Sequence, residues 1–129
     1  MKKLPKFVHK GWGYEKWIAN SPEYCGKLLF IKKNHRCSWH YHTLKDETFY
    51  LQSGKIQLSY SSEDDRDKAN TITLEPGEAF HCTRGTRHQM LALEDAELFE
   101  FSTQHFDSDS NRVIPVSYTH LTLPTSDLV

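Results

Sequence analysis

The stretch WHYHTLKDETFY, residues 39–50, sets His40 and His42 one residue apart and places Glu47 five residues after the second. Imidazole and carboxylate groups at that spacing suit a metal ion. The chain has eight histidines, so an isolated HxH arises by chance in roughly one such chain of every two. Strand geometry raises its value, because residues i and i+2 point to one face. On a strand, His40 and His42 present two imidazoles side by side. Glu47 follows the corner TLKD and adds a carboxylate from the next strand. Two or three imidazoles with one carboxylate suit a divalent first-row metal such as Zn, Mn, Fe, Co or Ni. A further ligand must come from elsewhere, and the second half of the chain offers His81 and His88. Cys37, three residues before His40, is a candidate thiolate.

Short strands must position these groups. The segments 25–33, 47–52, 55–60, 70–74, 78–82, 88–93 and 96–102 are rich in β-branched, aromatic or leucine residues and are bounded by turn residues. Ser53-Gly54 and Pro76-Gly77 read as turn punctuation. No segment sustains an apolar i, i+3, i+4, i+7 pattern. The chain reads as all-β, a sandwich or barrel. The polar, acidic stretch 61–70 reads as a solvated hairpin loop.

A chain of 129 residues with net charge −1 suits one domain and no nucleic-acid partner. The basic start lacks a following apolar region, and no run is long enough for a membrane helix. Three cysteines without a CxxC point to reduced thiols and a cytoplasmic protein. Cys25 and Cys82 lie in apolar runs and read as core residues. Residues 116–129 resemble translated sequencing-adapter read-through, so the functional reading sets aside that tail with His120 and expects the natural C-terminus to be missing.

Two longer stretches carry a family resemblance. NHRCSWHYHTLKDETFYLQSG (34–54) resembles the first cupin motif, G-x5-HxH-x4-E-x6-G, with Asn34 at the opening glycine and Gly54 at the closing one. GEAFHCTRGTRHQMLA (77–92) resembles the second motif, with Gly77, Gly85 and His88 in register, Thr83 for the proline and Ala92 for the asparagine. The resemblance covers about residues 25–103. It implies a cupin jelly-roll barrel over a single domain, 1–115, with one metal held inside by His40, His42, Glu47 and His88. The aromatic opening GWGYEKWI and the close LFEFSTQHFDSDSNRVI also resemble the C-terminal cupin domain of type II mannose-6-phosphate isomerases. That likeness implies a sugar or sugar-phosphate substrate. The resemblance to small cupins implies a homodimer.

Strand alternation then sorts the neighbours. Ser38 shares the inner face with the histidines, while Trp39 and Tyr41 face away. Phe49, Leu51 and Met90 point inward as barrel filling, and Gln89 outward. Trp12, Tyr14 and Trp17 read as an aromatic cluster that packs the barrel, with sugar stacking as the alternative. His81 is a candidate proton shuttle, with a backbone-bonded histidine as the alternative. Arg84, Arg87 and Lys45 are candidates to hold a substrate phosphate; pairing with the acidic loop at 63–67, or plain solvation, is the alternative. The expected function is a metal-dependent enzyme that isomerises an aldose to a ketose, with His81 or Glu47 moving the proton. An Fe(II)-dependent dioxygenase and a non-catalytic sugar-binding module are the alternatives.

Overall fold

The computed structural model describes residues 1–115, so the adapter-like tail and His120 lie outside the described residues. Among the described residues, nine strands form one curled antiparallel sheet: β1 (Lys6–Lys10), β2 (Gly13–Asn20), β3 (Cys25–Ile31), β4 (Trp39–Tyr41), β5 (Glu47–Ser61), β6 (Asn70–Leu74), β7 (Ala79–Cys82), β8 (Arg87–Ser102) and β9 (Asn111–Ile114). Single 3₁₀ turns lie at Arg66–Lys68 and Asp107–Asp109. No helix among the described residues is long and apolar enough to cross a membrane.

The two long strands, β5 and β8, pair along most of their length. The second half of β8 also pairs with β3, and its start pairs with β4. β2 and β1 extend the sheet beyond β3, and β9 extends it beyond β4. The strands therefore curl around an interior lined by alternate residues. β3 buries Cys25, Lys27, Leu29 and Ile31, and β5 buries Glu47, Phe49 and Leu51. The apolar centre includes Ile31, Leu51, Ile56, Leu58 and Leu98, all fully buried.

Three expectations about elements are corrected. Residues 47–52 and 55–60 form one strand, and so do 88–93 and 96–102. Ser53-Gly54 is a bulge within β5, where the pairing with β8 shifts register. The extra residue moves the inward parity from Leu51 to Ile56. Strands β1, β2 and β9 carry no clear apolar alternation and are additions to the sequence reading, whereas β4 is anticipated only by the spacing of its histidines.

The bulge needs its glycine. Gly54 has φ +89, and an added Cβ there would meet the Asp95 carbonyl oxygen and sit 2.7 Å from Ala96 Cα. Gly54→Ala is expected to lower unfolding stability by about 2–3 kcal/mol, read by urea denaturation. A loss below about 0.5 kcal/mol contradicts this account of the bulge. Asn34, at the motif's opening glycine position, takes φ 69. Asparagine tolerates that left-handed region better than other side chains, which is why the departure from glycine is accommodated.

Candidate metal centre

Three strands and the corner after β4 bring four side chains together in the interior. His40 comes from β4 and His42 from just past it; Glu47 opens β5 and His88 lies near the start of β8. His40 and His88 are direct cross-strand partners. The corner between His42 and Glu47 wraps onto Asp109, whose buried carboxylate accepts backbone N–H bonds from Thr43 (2.8 Å), Leu44 (3.0 Å) and Lys45 (3.0 Å). The Gly85 N–H donates to the His42 carbonyl at 2.7 Å, which ties the β7–β8 turn to the same corner.

Backbone carbonyls fix all three imidazole tautomers. Nδ1 of His40 lies 2.9 Å from the Ser38 carbonyl, Nδ1 of His42 3.0 Å from that of Asp109, and Nδ1 of His88 3.0 Å from that of Thr86. A carbonyl only accepts, so each Nδ1 carries the hydrogen and each Nε2 keeps a lone pair. This is how ligating histidines are oriented. Ring nitrogens of the three lie within 4.8 Å of one another.

Glu47 completes the set. Its Oε2 is 3.5 Å from His42 Nε2 and 3.4 Å from His88 Nε2. It is buried and has no hydrogen-bond partner. Lone pairs on a carboxylate and two imidazoles face each other there, which is unfavourable without a cation between them. Two ligand atoms each about 2.1 Å from one ion stand about 3.4 Å apart across a tetrahedral angle. The donor set, the spacing and the orphaned oxygen fit a divalent metal.

Buried charges back this cluster. Lys45 Nζ lies 3.0 Å from Glu100 Oε2, 3.4 Å from Glu47 Oε1 and 3.1 Å from His105 Nδ1. Burial pushes Glu47 up to about 8, with Glu100 adding to the rise and Lys45 opposing it. Burial also presses on Glu100, but Lys45 and then Lys27 outweigh it and hold the carboxyl down at about 2. The closer contact explains which carboxylate keeps the ion pair.

Burial lowers His40 well below its usual value, His42 to about 3 and His88 to about 4. An unfolded histidine titrates near 6.5. The unfolded chain therefore takes up protons below about pH 6.5 that the folded chain refuses, and stability present above that pH is lost as pH falls. Glu47 runs the other way: from pH 8 down to about 4.5 the folded chain binds a proton that the unfolded chain does not. Three histidines outweigh one carboxylate. In EDTA the melting temperature is expected to fall by on the order of 10 °C between pH 6.5 and pH 4.5. A midpoint that keeps rising toward pH 4.5 contradicts the neutral-histidine assignment.

The other candidate residues take positions of their own, and Arg87 follows the acidic-loop alternative. His81 is not beside the cluster: β7 turns it outward opposite Thr48, its side chain is 57% exposed, and Nε2 bonds Asp46 Oδ1 at 2.8 Å. Its neighbour Cys82 takes the inward position opposite Glu47. Arg84 is exposed and donates to the Leu44 carbonyl. Arg87 pairs with Asp64 of the acidic loop at 2.8 Å and stacks 3.8 Å over Tyr41, on the outer face. Lys45 does line the interior, but as the buried ion-pair hub. Cys37 lies outside the candidate ligand groups: its buried Sγ accepts the Met90 N–H at 3.3 Å, and burial pushes the thiol up to about 11. Ser38, Phe49 and Met90 line the cavity above the cluster, and Trp39 and Tyr41 do not.

The sequence reading missed Cys82, Glu100, Asp109 and Lys27. Cys82 Sγ sits 3.3 Å from His88 Nδ1, while Glu47 faces Nε2 of the same ring. The thiol thus approaches the nitrogen turned away from the cluster. Glu100 and Lys27 were legible as charges at inward positions of apolar strands.

A family model described as a cupin domain matches residues 28–101. No curated protein sequence matches the chain. Among solved structures, the capsular polysaccharide assembling protein CapF from Staphylococcus aureus is similar at a TM-score of 0.74 and 18% identity, over 86% of this chain and 34% of that one. KdgF from Halomonas sp. gives 0.69 and 18%, over 84% and 98%. Bacillus subtilis oxalate decarboxylase, a protein with Mn(II) centres, gives 0.70 and 18%, over 84% and 30%. The chain spans about a third of the CapF and decarboxylase chains and nearly all of KdgF. At these identities the likeness is one of fold.

Proposed function

The chain belongs to the cupin family, whose model spans residues 28–101, and from that premise we propose a metal-dependent enzyme acting on a sugar or sugar phosphate. In this reading residues 1–115 form one cupin domain. His40, His42, Glu47 and His88 hold one divalent ion, Zn, Mn, Fe, Co or Ni. The observation that carries the reading is Glu47 Oε2, buried without a hydrogen-bond partner and faced by the Nε2 atoms of His42 and His88. The Mn(II) centres of the similarly folded oxalate decarboxylase support a divalent ion in this architecture. The polysaccharide role in the name of CapF supports a sugar-related substrate.

When bound, the ion supplies Lewis-acid polarisation of a substrate carbonyl. The chain's own residues bind and orient. Trp12 and Trp17 line the cavity and offer faces to a sugar ring. Glu15 also lines it, its Oε1 accepting the Trp17 Nε1–H at 2.8 Å and facing Lys27 Nζ at 3.4 Å. In this reading, with His81 on the outside and Glu47 given to the ion, Glu15 carries the proton between neighbouring carbons. That is aldose–ketose isomerisation of the type II mannose-6-phosphate isomerase kind. The reading extends to a cytoplasmic homodimer. Its three buried free cysteines suit a reducing compartment. The outer sheet face carries Phe99 and Phe101, ring centroids 6.2 Å apart, with Phe101 58% exposed.

Anaerobic incubation of Zn- or Mn-loaded protein with mannose 6-phosphate tests the reading. Ketose formation is expected, falling by about 100-fold or more in Glu15→Gln with metal content unchanged. Oxygen uptake with Fe(II) and no isomerisation overturns it in favour of a dioxygenase. Saturable sugar binding without product overturns it in favour of a binding module.

A further inference from the structure

The metal ligands line a cavity of about 510 Å³, together with five cationic side chains: Lys6, Lys10, Lys27, Lys45 and Arg112. Most are committed. Lys45 is held by Glu47 and Glu100, and Lys27 by Glu15 and by the face of Trp17, 4.3 Å away. The Lys6 ammonium lies 4.9 Å from the same Trp17 ring. Arg112 has no side-chain hydrogen bond or ion pair among the described residues. It stands directly across from His40 in the β4–β9 pairing. Directly opposed residues of an antiparallel pair project to one side of the sheet. The exposed Arg112 guanidinium therefore overhangs the cavity into which His40 points.

The charge balance favours an anion at that place. The lining side chains carry five cations, Lys6, Lys10, Lys27, Lys45 and Arg112, against four carboxylates, Glu15, Glu47, Glu100 and Asp107. A divalent ion at the histidines would add to that positive excess, and an anionic group offsets it. A guanidinium fork binds two oxygens of one oxyanion at once. Asp107 also lines the mouth, but its side chain is 89% exposed and hydrogen-bonded to His105.

We propose that Arg112 is an oxyanion clamp at the cavity mouth, so that the substrate is an acidic sugar whose carboxylate or phosphate it grips while the sugar's other oxygens face the histidines. The inference rests on the cavity being the substrate site. It moves the anion-binding role from Arg84, Arg87 and Lys45 to a residue with an unoccupied fork.

Titration calorimetry with galacturonate, mannose 6-phosphate and mannose tests the clamp, with metal content measured on the same samples. At least one of the two acids is expected to bind wild type about 10-fold or more tighter than mannose, with the preference falling as salt is raised. Preference for galacturonate assigns a carboxylate, and preference for mannose 6-phosphate a phosphate. Arg112→Gln is expected to abolish the preference while leaving mannose binding and melting temperature unchanged, and Arg112→Lys to restore part of it. A metal-loaded protein that binds both acids no tighter than mannose, or an Arg112→Gln variant that keeps the preference, overturns the clamp and leaves the metal reading standing. A metal-free protein that loses acid binding on Arg112→Gln overturns the metal reading and supports the clamp.

Discussion

Lys45→Met is expected to lower unfolding stability by about 3–5 kcal/mol, because it strands the buried Glu100 carboxylate and takes from Glu47 its nearest cation. The ammonium is 3% exposed and lies 3.0 Å from Glu100 and 3.4 Å from Glu47. Methionine keeps most of the volume and removes the charge. Lys27 then remains as the nearby ammonium, already committed to Glu15. A domain of this size has only about 5–15 kcal/mol in total, so the single variant sits near the edge of folding. The pair Lys45→Met with Glu100→Gln keeps the test measurable, since it removes one stranded charge with its partner. The double variant is expected to recover more than half of the loss in urea denaturation in EDTA. A single-variant loss under about 1 kcal/mol contradicts the role of Lys45 as the counterion of this interior.

Glu47→Gln is expected to separate the metal from the fold. In the metal-free protein Glu47 is a buried carboxyl pushed up to about 8, so its charged form is costly at pH 8.5. Glutamine removes that cost, and the melting temperature in EDTA is expected to stay level or rise. The metal response goes the other way. A ligand at about 1,000 times its Kd stabilises by about 4 kcal/mol, on the order of 10 °C here. That gain is expected in wild type with Zn or Mn and is lost in Glu47→Gln, with affinity weakened by about 100-fold or more. A variant that loses stability in EDTA and still gains the full metal shift contradicts Oε2 as a ligand.

The sequence carried much of this, unevenly. The candidate ligand positions were legible because strand alternation places His40 and His42 on one face and because two motifs keep Glu47 and His88 in register with them. The central strands were legible from their apolar alternation, as in Cys25, Leu29 and Ile31 of β3. The strands that wall the cavity were not. β2 turns Glu15 and Trp17 inward, so the pattern that marks a strand is erased where the strand serves the site. Ser53-Gly54 was misread because a bulge and a turn both demand a glycine with positive φ; only the parity change from Leu51 to Ile56 tells them apart. His81 was singled out by residue type, and the pairing of Thr48 with His81 and of Glu47 with Cys82 turns it outward. Arg112 belongs to the segment after the second motif, and only the folded pairing with β4 sets it over His40.

Elemental analysis of the purified protein, paired with melting curves in EDTA and in excess Zn or Mn, tests the metal centre most directly. One metal ion per chain is expected in wild type. Little or none is expected in His40→Ala combined with His88→Ala, whose melting temperature no longer responds to metal. Substoichiometric metal in wild type, with a metal-independent melting temperature that the double replacement leaves unchanged, contradicts the account.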